Sequence, residues 1–158
     1  MSRPGTLTAG DMGSALFNTP LSDTPLFGTP DVPRIEEDSG ILPRGALNEL
    51  ELEYALASSG ELDEDAAPAN QLSRIYARHF LTALNARDEP SDVYFNSHGD
   101  AVLEWHPGPG RVAVVSIGGN GDLRYASARY GARSYGVQFW AGAIPEEVLG
   151  AIRWVRRR

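Results

Sequence analysis

The apolar residues that follow residue 70 first recur with the period of a helix. From Asn70 onward they occur at i, i+3, i+4 and i+8, which is one face of a helix, and they are Leu72, Ile75, Tyr76, Phe80, Ala83 and Leu84. Asn70 is a favourable N-cap residue. Asp88-Glu89-Pro90 ends the helix, because the residue before a proline disfavours the helical region. This pattern predicts that a compact domain begins with a helix near residue 70.

Between residues 93 and 140 the pattern changes to the alternation that is typical of β-strands. Turns rich in glycine and proline, such as Pro107-Gly108-Pro109-Gly110 and Gly118-Gly119-Asn120-Gly121, separate four to five strands. The side chains predicted to face the core are Ala101, Leu103, Trp105, Leu123, Tyr125, Tyr135, Val137 and Phe139. Those predicted to face solvent are Val102, Glu104, His106 and Arg124.

A second amphipathic helix is predicted after Pro145, which suits a first helical turn. Glu146 and Glu147 follow it, where acidic side chains complement the helix dipole. The apolar stripe of this helix consists of Val148, Leu149, Ile152 and Val155. The predicted fold class is therefore α+β, with an antiparallel four- to five-stranded meander that an N-terminal and a C-terminal helix pack on one face. The other face remains open to solvent.

The first 45 residues have a different composition, rich in Gly, Pro, Ser, Thr and Asp. Three consecutive units of the form Leu-x-x-Thr-Pro occupy residues 16–30, and a proline at every fifth position prevents a helix. We therefore predict a disordered acidic arm over residues 1–45. Two interpretations of the arm remain open, a linker-like tail or a docking peptide. The anchors of a docking peptide would be Leu16, Phe17, Leu26 and Phe27.

Residues 46–69 are predicted to form a short helix and an acidic linker. Leu47, Leu50 and Tyr54 recur at near-helical spacing, and four acidic residues lie between positions 61 and 65. The chain is therefore divided into an arm over 1–45, a helix with its linker over 46–69, and a compact α+β domain over 70–158.

The net charge of −7 is unevenly distributed along the chain. Residues 1–70 hold thirteen acids against three arginines, a net charge of −10, whereas residues 71–158 hold eleven arginines against eight acids, a net charge of +3. This balance argues against a general nucleic-acid binder, because neutralising phosphates requires basic residues. An acidic arm instead favours a protein partner with a basic surface.

A resemblance to known proteins rests on the stretch Asp100-Ala101-Val102-Leu103-Glu104-Trp105-His106 and on the strands and helix that follow it. This region, about residues 90–156, resembles a widespread family of uncharacterised bacterial and phage proteins. In that family a small α+β domain contains a strand of the type Val-x-Leu-Glu-Trp-His. The resemblance implies the fold, and an accessory role in a bacterium or phage, but no activity or site residue.

No catalytic or cofactor motif stands out in the sequence. The chain has no cysteine, which excludes disulfides and thiolate chemistry. Gly118-Gly119-Asn120-Gly121 is not a phosphate loop, since it lacks the Lys-Ser/Thr ending and leads into a strand. We expect no cofactor, no metal ion and no catalytic residue.

No apolar run approaches the roughly 20 residues of a membrane helix, so we expect a cytoplasmic protein without a membrane partner.

The leading hypothesis is a non-enzymatic protein-binding accessory protein, such as an inhibitor, an antitoxin-like protein or an assembly factor. It would bind its partner with the acidic arm and with an open sheet face that presents Glu104, His106, Arg124 and Gln138. The alternative is a small hydrolase or metal-dependent enzyme that uses the sheet face around His106 and Glu104.

Overall fold

A computed structural model of the protein describes residues 42–59 and 65–158. The chain divides into two units, Met1–Asp38 and Ser39–Arg158, and the first lies wholly outside the described residues. The predicted disordered arm therefore lies outside the described part of the chain, except for residues 42–45. Residues 60–64, which include the first four residues of the acidic stretch 61–65, also lie outside it.

The described residues form three α-helices and one five-stranded sheet, joined in a simple order. The helices are α1 (Arg44–Ser58), α2 (Gln71–Ala83) and α3 (Glu146–Arg156), and a short 3₁₀ helix covers Ala86–Asp88. The strands are β1 (Asp92–Phe95), β2 (Ala101–Gly108), β3 (Arg111–Ile117), β4 (Asp122–Arg129) and β5 (Ala132–Phe139). Each strand pairs antiparallel with the next along the chain, so the sheet is a meander. The predicted fold class, α+β with helices before and after an antiparallel sheet, is confirmed.

One face of the sheet packs against the helices and forms the core. Ala101, Leu103 and Trp105 on β2 are all almost completely buried, as predicted from their alternation. The indole Nε1 of Trp105 donates a hydrogen bond of 2.6 Å to the carbonyl oxygen of Asp88, so the one polar atom of this large side chain is satisfied. Leu103 lies opposite Val115 of β3, which extends the apolar layer to the next strand.

Helix α2 begins as the sequence predicts, because the Asn70 side chain accepts hydrogen bonds from the backbone N–H groups of Leu72 and Ser73. Its buried stripe is nevertheless rotated from the predicted one. Leu72 and Ile75 are 55% and 36% exposed. The buried residues are Ser73, Ala77, Phe80 and Leu81. The prediction was wrong for Leu72, Ile75 and Ala83, all of which are exposed. It weighed side-chain hydrophobicity and ignored the small residues that let a helix approach a sheet closely.

The Ser73 hydroxyl explains why this rotation is stable. It donates a 2.5 Å hydrogen bond to the carbonyl of Ile117 and accepts a 2.6 Å bond from the N–H of Ala101. These two residues lie at the end of β3 and the start of β2, so one buried hydroxyl joins α2 to two neighbouring strands. A longer side chain at this position would separate the helix from the sheet.

Helix α1 contributes to the same core. Leu50 is completely buried, and Tyr54 contacts the Phe95 ring edge-on at a centroid distance of 5.7 Å. At the start of the helix, the N–H of Ala46 donates a 2.8 Å hydrogen bond to Glu89 Oε1, which satisfies a backbone group that lacks a partner within the helix. Residues 44–58 therefore pack as part of the compact unit.

The facing of β5 differs from the prediction. Tyr135 lies opposite Ala126 and Val137 opposite Arg124, on the face away from the helices. Tyr135, Val137 and Phe139 are 81%, 56% and 65% exposed. Their inward facing was therefore predicted wrongly. Period-two alternation separates the two faces of a strand but does not say which face is buried.

We predict that removing the Leu50 side chain destabilises the whole folded unit, whereas the same change at Leu52, which is 66% exposed on the same helix, does not. Leu50→Ala should lower the free energy of unfolding by about 2–5 kcal/mol, because it leaves a cavity in the core. Leu52→Ala should change it by less than about 0.5 kcal/mol. Chemical denaturation followed by tryptophan fluorescence measures both. Equal effects of the two substitutions would mean that α1 does not contribute to the core.

Candidate functional site: the open face of the sheet

The open face is the side of the sheet opposite the helices. The pairing register assigns most side chains to it, because residues directly opposite each other on neighbouring strands lie on the same face. His106 lies at a register shift of β2, and its hydrogen bond to Glu104 places it on this face. Its side chains are Asp92, Tyr94, Val102, Glu104, His106, Val112, Val114, Ser116, Asp122, Arg124, Ala126, Ala128, Arg133, Tyr135, Val137 and Phe139. We call the region around Tyr94, Glu104 and His106 the polar end of this face, and the region around Val114, Ala126 and Tyr135 its apolar half. The charged side chains of Asp122, Arg124 and Arg133 also lie on β4 and β5 of the same face.

At the polar end, Glu104 accepts two short hydrogen bonds. The Tyr94 hydroxyl donates to Oε1 at 2.6 Å, and His106 Nε2 lies 2.7 Å from Oε2. Tyr94 comes from the neighbouring strand β1, whereas His106 lies two residues further along β2 and therefore on the same face. Both carboxylate oxygens are thus occupied, and the three side chains form one hydrogen-bonded cluster.

These contacts change the acidity of two groups in the cluster. Partial burial by itself would raise the pKa of Glu104, but the hydrogen bonds from Tyr94 and His106 outweigh it, and the pKa lies below its ordinary value. The hydrogen bond to Glu104, followed by partial burial and the nearby negative charges, raises the pKa of Tyr94 to about 12. Glu104 is therefore a stable carboxylate and Tyr94 a neutral phenol over the physiological range.

Arg124 lies on the open face of β4, as predicted, but its charge is balanced locally. Its Nε donates to Asp122 Oδ2 at 2.7 Å, and a terminal nitrogen lies 3.2 Å from Asp100 Oδ2. Chiefly because of the hydrogen bond to Asp122, the pKa of Arg124 is raised. Two carboxylates thus neutralise this guanidinium, which leaves it little excess charge with which to attract an acidic partner.

The apolar half of the open face contains a shallow depression of about 160 Å³, lined mainly by apolar atoms. Val112 and Val114 of β3, Ala126 and Ala128 of β4, and Tyr135 of β5 contribute to its lining. Beside it, Val137 and Phe139 extend the exposed apolar surface along β5. Exposed apolar side chains grouped in this way on a folded protein are typical of an interaction site, and the charged Arg133 lies beside them in the lining of the depression.

The structure brings only some of the predicted partner-binding residues together. Glu104 and His106 are in direct contact, and Arg124 shares their face. Gln138 does not, because it lies opposite Leu123, whose side chain is buried on the helix-covered face. The predicted arm anchors, Leu16, Phe17, Leu26 and Phe27, lie outside the described residues.

Sequence reasoning missed the apolar half of the site, which depends on Ala126 and Tyr135 above all. One signal in the sequence was available. A two-residue hairpin turn at Tyr130 and Gly131 pairs Arg129 with Ala132, and that pairing assigns every β5 side chain to a face once β4 is oriented. Tyr94 was missed for another reason, since its role depends on a contact across two strands.

Two further properties concern ions and membranes. Among the described residues, no group of three or more His, Asp or Glu side chains is arranged to hold a metal ion. In the same part of the chain, none of the helices has the length and apolar character that crossing a bilayer requires.

Comparison with known proteins adds no further assignment. No family model matches the chain, and comparisons with curated proteins and with solved structures find no significant match. The resemblance of residues 90–156 to a family therefore has no independent support, and the functional argument rests on the open face itself.

We predict that the phenol of Tyr94 ionises near pH 12 and that this value depends on Glu104. Since the pKa is raised above its ordinary value of 10.0, the associated stabilisation is present below pH 10 and is lost as the pH rises towards 12. Ultraviolet difference titration of the wild type against Tyr94→Phe isolates this phenol from the other tyrosines. Glu104→Gln should return its pKa towards 10.0, because the negative charge is removed. An unchanged pKa in that variant would contradict the assigned cause.

Proposed function

We propose that the protein is a non-enzymatic, cytoplasmic protein-binding accessory protein, such as an inhibitor, an antitoxin-like protein or an assembly factor. Its folded unit would bind a partner through the open face. The observation that carries the proposal is the exposed apolar half of that face, where a depression adjoins Tyr135, which is 81% exposed. Apolar side chains that are grouped and exposed on one face of a sheet commonly mark a binding surface.

The chemistry of the open face indicates how a partner would bind. An apolar side chain of the partner would enter the depression over Val114 and Ala126, where little water has to be displaced from polar groups. The polar cluster of Tyr94, Glu104 and His106 would lie at the rim and restrict orientation. Arg124 is already paired with two carboxylates, so the positive charge nearest to the depression is that of Arg133, which contributes to its lining.

The arm would supply the second part of the binding surface. Its acidic residues favour a partner with a basic region, which would mainly accelerate association. Its apolar anchors would contribute affinity, and Phe17 and Phe27 are the strongest candidates as the only aromatic residues among the first 50. The proposed partner therefore presents an apolar side chain to the sheet and basic residues to the arm.

The test starts with a pull-down from the native host and continues with calorimetric titration of the captured partner. Ala126→Arg places a charge in the depression on an exposed position, and we expect it to weaken binding at least about tenfold. Ala83→Arg is the matched control, since Ala83 is an exposed alanine on helix α2. Equal affinities of the two variants would exclude the depression as the binding site.

The contribution of the arm is measured separately with Phe17→Ala combined with Phe27→Ala. If the arm anchors the partner, affinity falls by about 2 kcal/mol or more, and the unfolding transition of the compact unit is unchanged. If this variant binds the partner as tightly as the wild type, the arm does not anchor the partner. The outcome does not affect the test of the depression, because that test keeps the arm intact.

The cluster at the polar end favours a second candidate, a small hydrolase. In that function Glu104 would orient His106, which would act as a general base. Hydrolysis of a panel of simple esters and phosphoesters tests it. Activity that His106→Ala abolishes, and that substitution of the exposed His79 by Ala preserves, would establish the enzyme and displace the binding proposal.

A further inference from the structure

The two edges of the sheet differ in what packs against them. Helix α1 packs against the edge strand β1. The other edge strand, β5, pairs with β4 on one side, and among the described residues no strand lies on its other side. Natural proteins commonly place charged residues or proline on sheet edges to prevent pairing between sheets. Among its eight residues, Ala132–Phe139, β5 has one such residue, Arg133, and no proline, lysine or acidic residue.

The register identifies which backbone groups of β5 face the free edge. Ala132 lies opposite Arg129 across the two-residue turn, and the N–H of Trp140 donates to the carbonyl of Gly121 at 2.8 Å. Hydrogen-bonded residues alternate along an antiparallel strand, so the even-numbered residues of β5 bond to β4. The N–H and C=O groups directed to the free edge belong to Arg133, Tyr135, Val137 and Phe139.

We propose that β5 pairs antiparallel with β5 of a second copy of the chain, around a two-fold axis at Gly136. The two five-stranded sheets would then form one ten-stranded sheet, whose open face continues across both copies. This inference is independent of the proposed function, because it concerns the edge of the sheet and needs no other partner.

The side chains of β5 are complementary to themselves in this register. Tyr135 lies opposite Val137 of the second copy, an aromatic and β-branched pair of the kind that stabilises neighbouring strands. Arg133 lies opposite Phe139 of the second copy, where a guanidinium can contact the ring face. Only an axis at Gly136 pairs all four edge-facing residues. An axis at Tyr135 would set Phe139 against the turn at Gly131.

Charge and size agree with a reversible dimer. Arg133 is the single charged residue of β5, and the antiparallel register places the two copies of it at opposite ends of the interface. Pairing of eight residues per copy buries less than the roughly 800 Å² per partner of a standard interface. We therefore expect a dissociation constant in the micromolar range.

Sedimentation of the full chain over a range of concentrations tests the dimer. The wild type should pass from the 17.1 kDa of one chain to twice that mass as the concentration rises. Val137→Pro removes an N–H group that faces the free edge and leaves the bonds to β4 intact, so it should remain monomeric. The matched control, Val137→Thr, keeps that N–H group and should still dimerise. A monomeric wild type, or a dimeric Val137→Pro variant, would overturn the proposal.

Disulfide cross-linking tests the register, and the absence of cysteine from the chain makes the result unambiguous. An axis at Gly136 places Ser134 opposite Gln138 of the second copy, within the Cα separation that a disulfide requires. Within one chain these residues are about 13 Å apart along the strand, too far to bridge. The double variant Ser134→Cys with Gln138→Cys should form a covalent dimer on mild oxidation, and neither single variant should. A double variant without cross-links, or single variants that cross-link equally, would contradict this register.

Discussion

The two-residue turn between β4 and β5 sets the register on which the open face depends. Tyr130 and Gly131 both adopt positive φ angles, 48° and 89°, so the turn twists in the sense that antiparallel strands require. It pairs Arg129 with Ala132. Because side chains alternate with a period of two, this single pairing sends Tyr135 and the odd-numbered residues beside it away from the core. A one-residue shift of this register would place them on the helix side of the sheet instead.

The face on which a β5 side chain lies matters because the helices cover only one face of the sheet. α1, α2 and α3 cover one face only, and the Ser73 hydroxyl holds α2 against β2 and β3 through two buried hydrogen bonds. Apolar residues on the covered face are buried against the helices, whereas Tyr135, Val137 and Phe139 on the opposite face stay largely exposed. Their exposure is therefore not explained by folding, which is why a binding role is the more economical account of Tyr135 and its neighbours.

The polar and apolar parts of the open face differ in whether their side chains already have interaction partners within the protein. Glu104 is engaged by Tyr94 and His106, and Arg124 by two aspartates, so these charged groups already have protein partners. The apolar side chains of Val114, Ala126 and Tyr135 form no hydrogen bonds or ion pairs of this kind. Glu104, His106 and Arg124, which the sequence singled out as candidate partner-binding residues, therefore make contacts within the protein itself.

The sequence alone determined the secondary structure, the antiparallel meander, the Asn70 cap and the burial of Trp105, since each follows from local periodicity and turn chemistry. Only the tertiary structure decided which side chains of β5 lie on the helix side of the sheet, how α2 is rotated and where Gln138 lies. The physical reason is the same in each case. Periodicity defines two faces of a helix or strand, but the face that is covered depends on the register with neighbouring strands and on small residues, such as Ser73, that allow close approach.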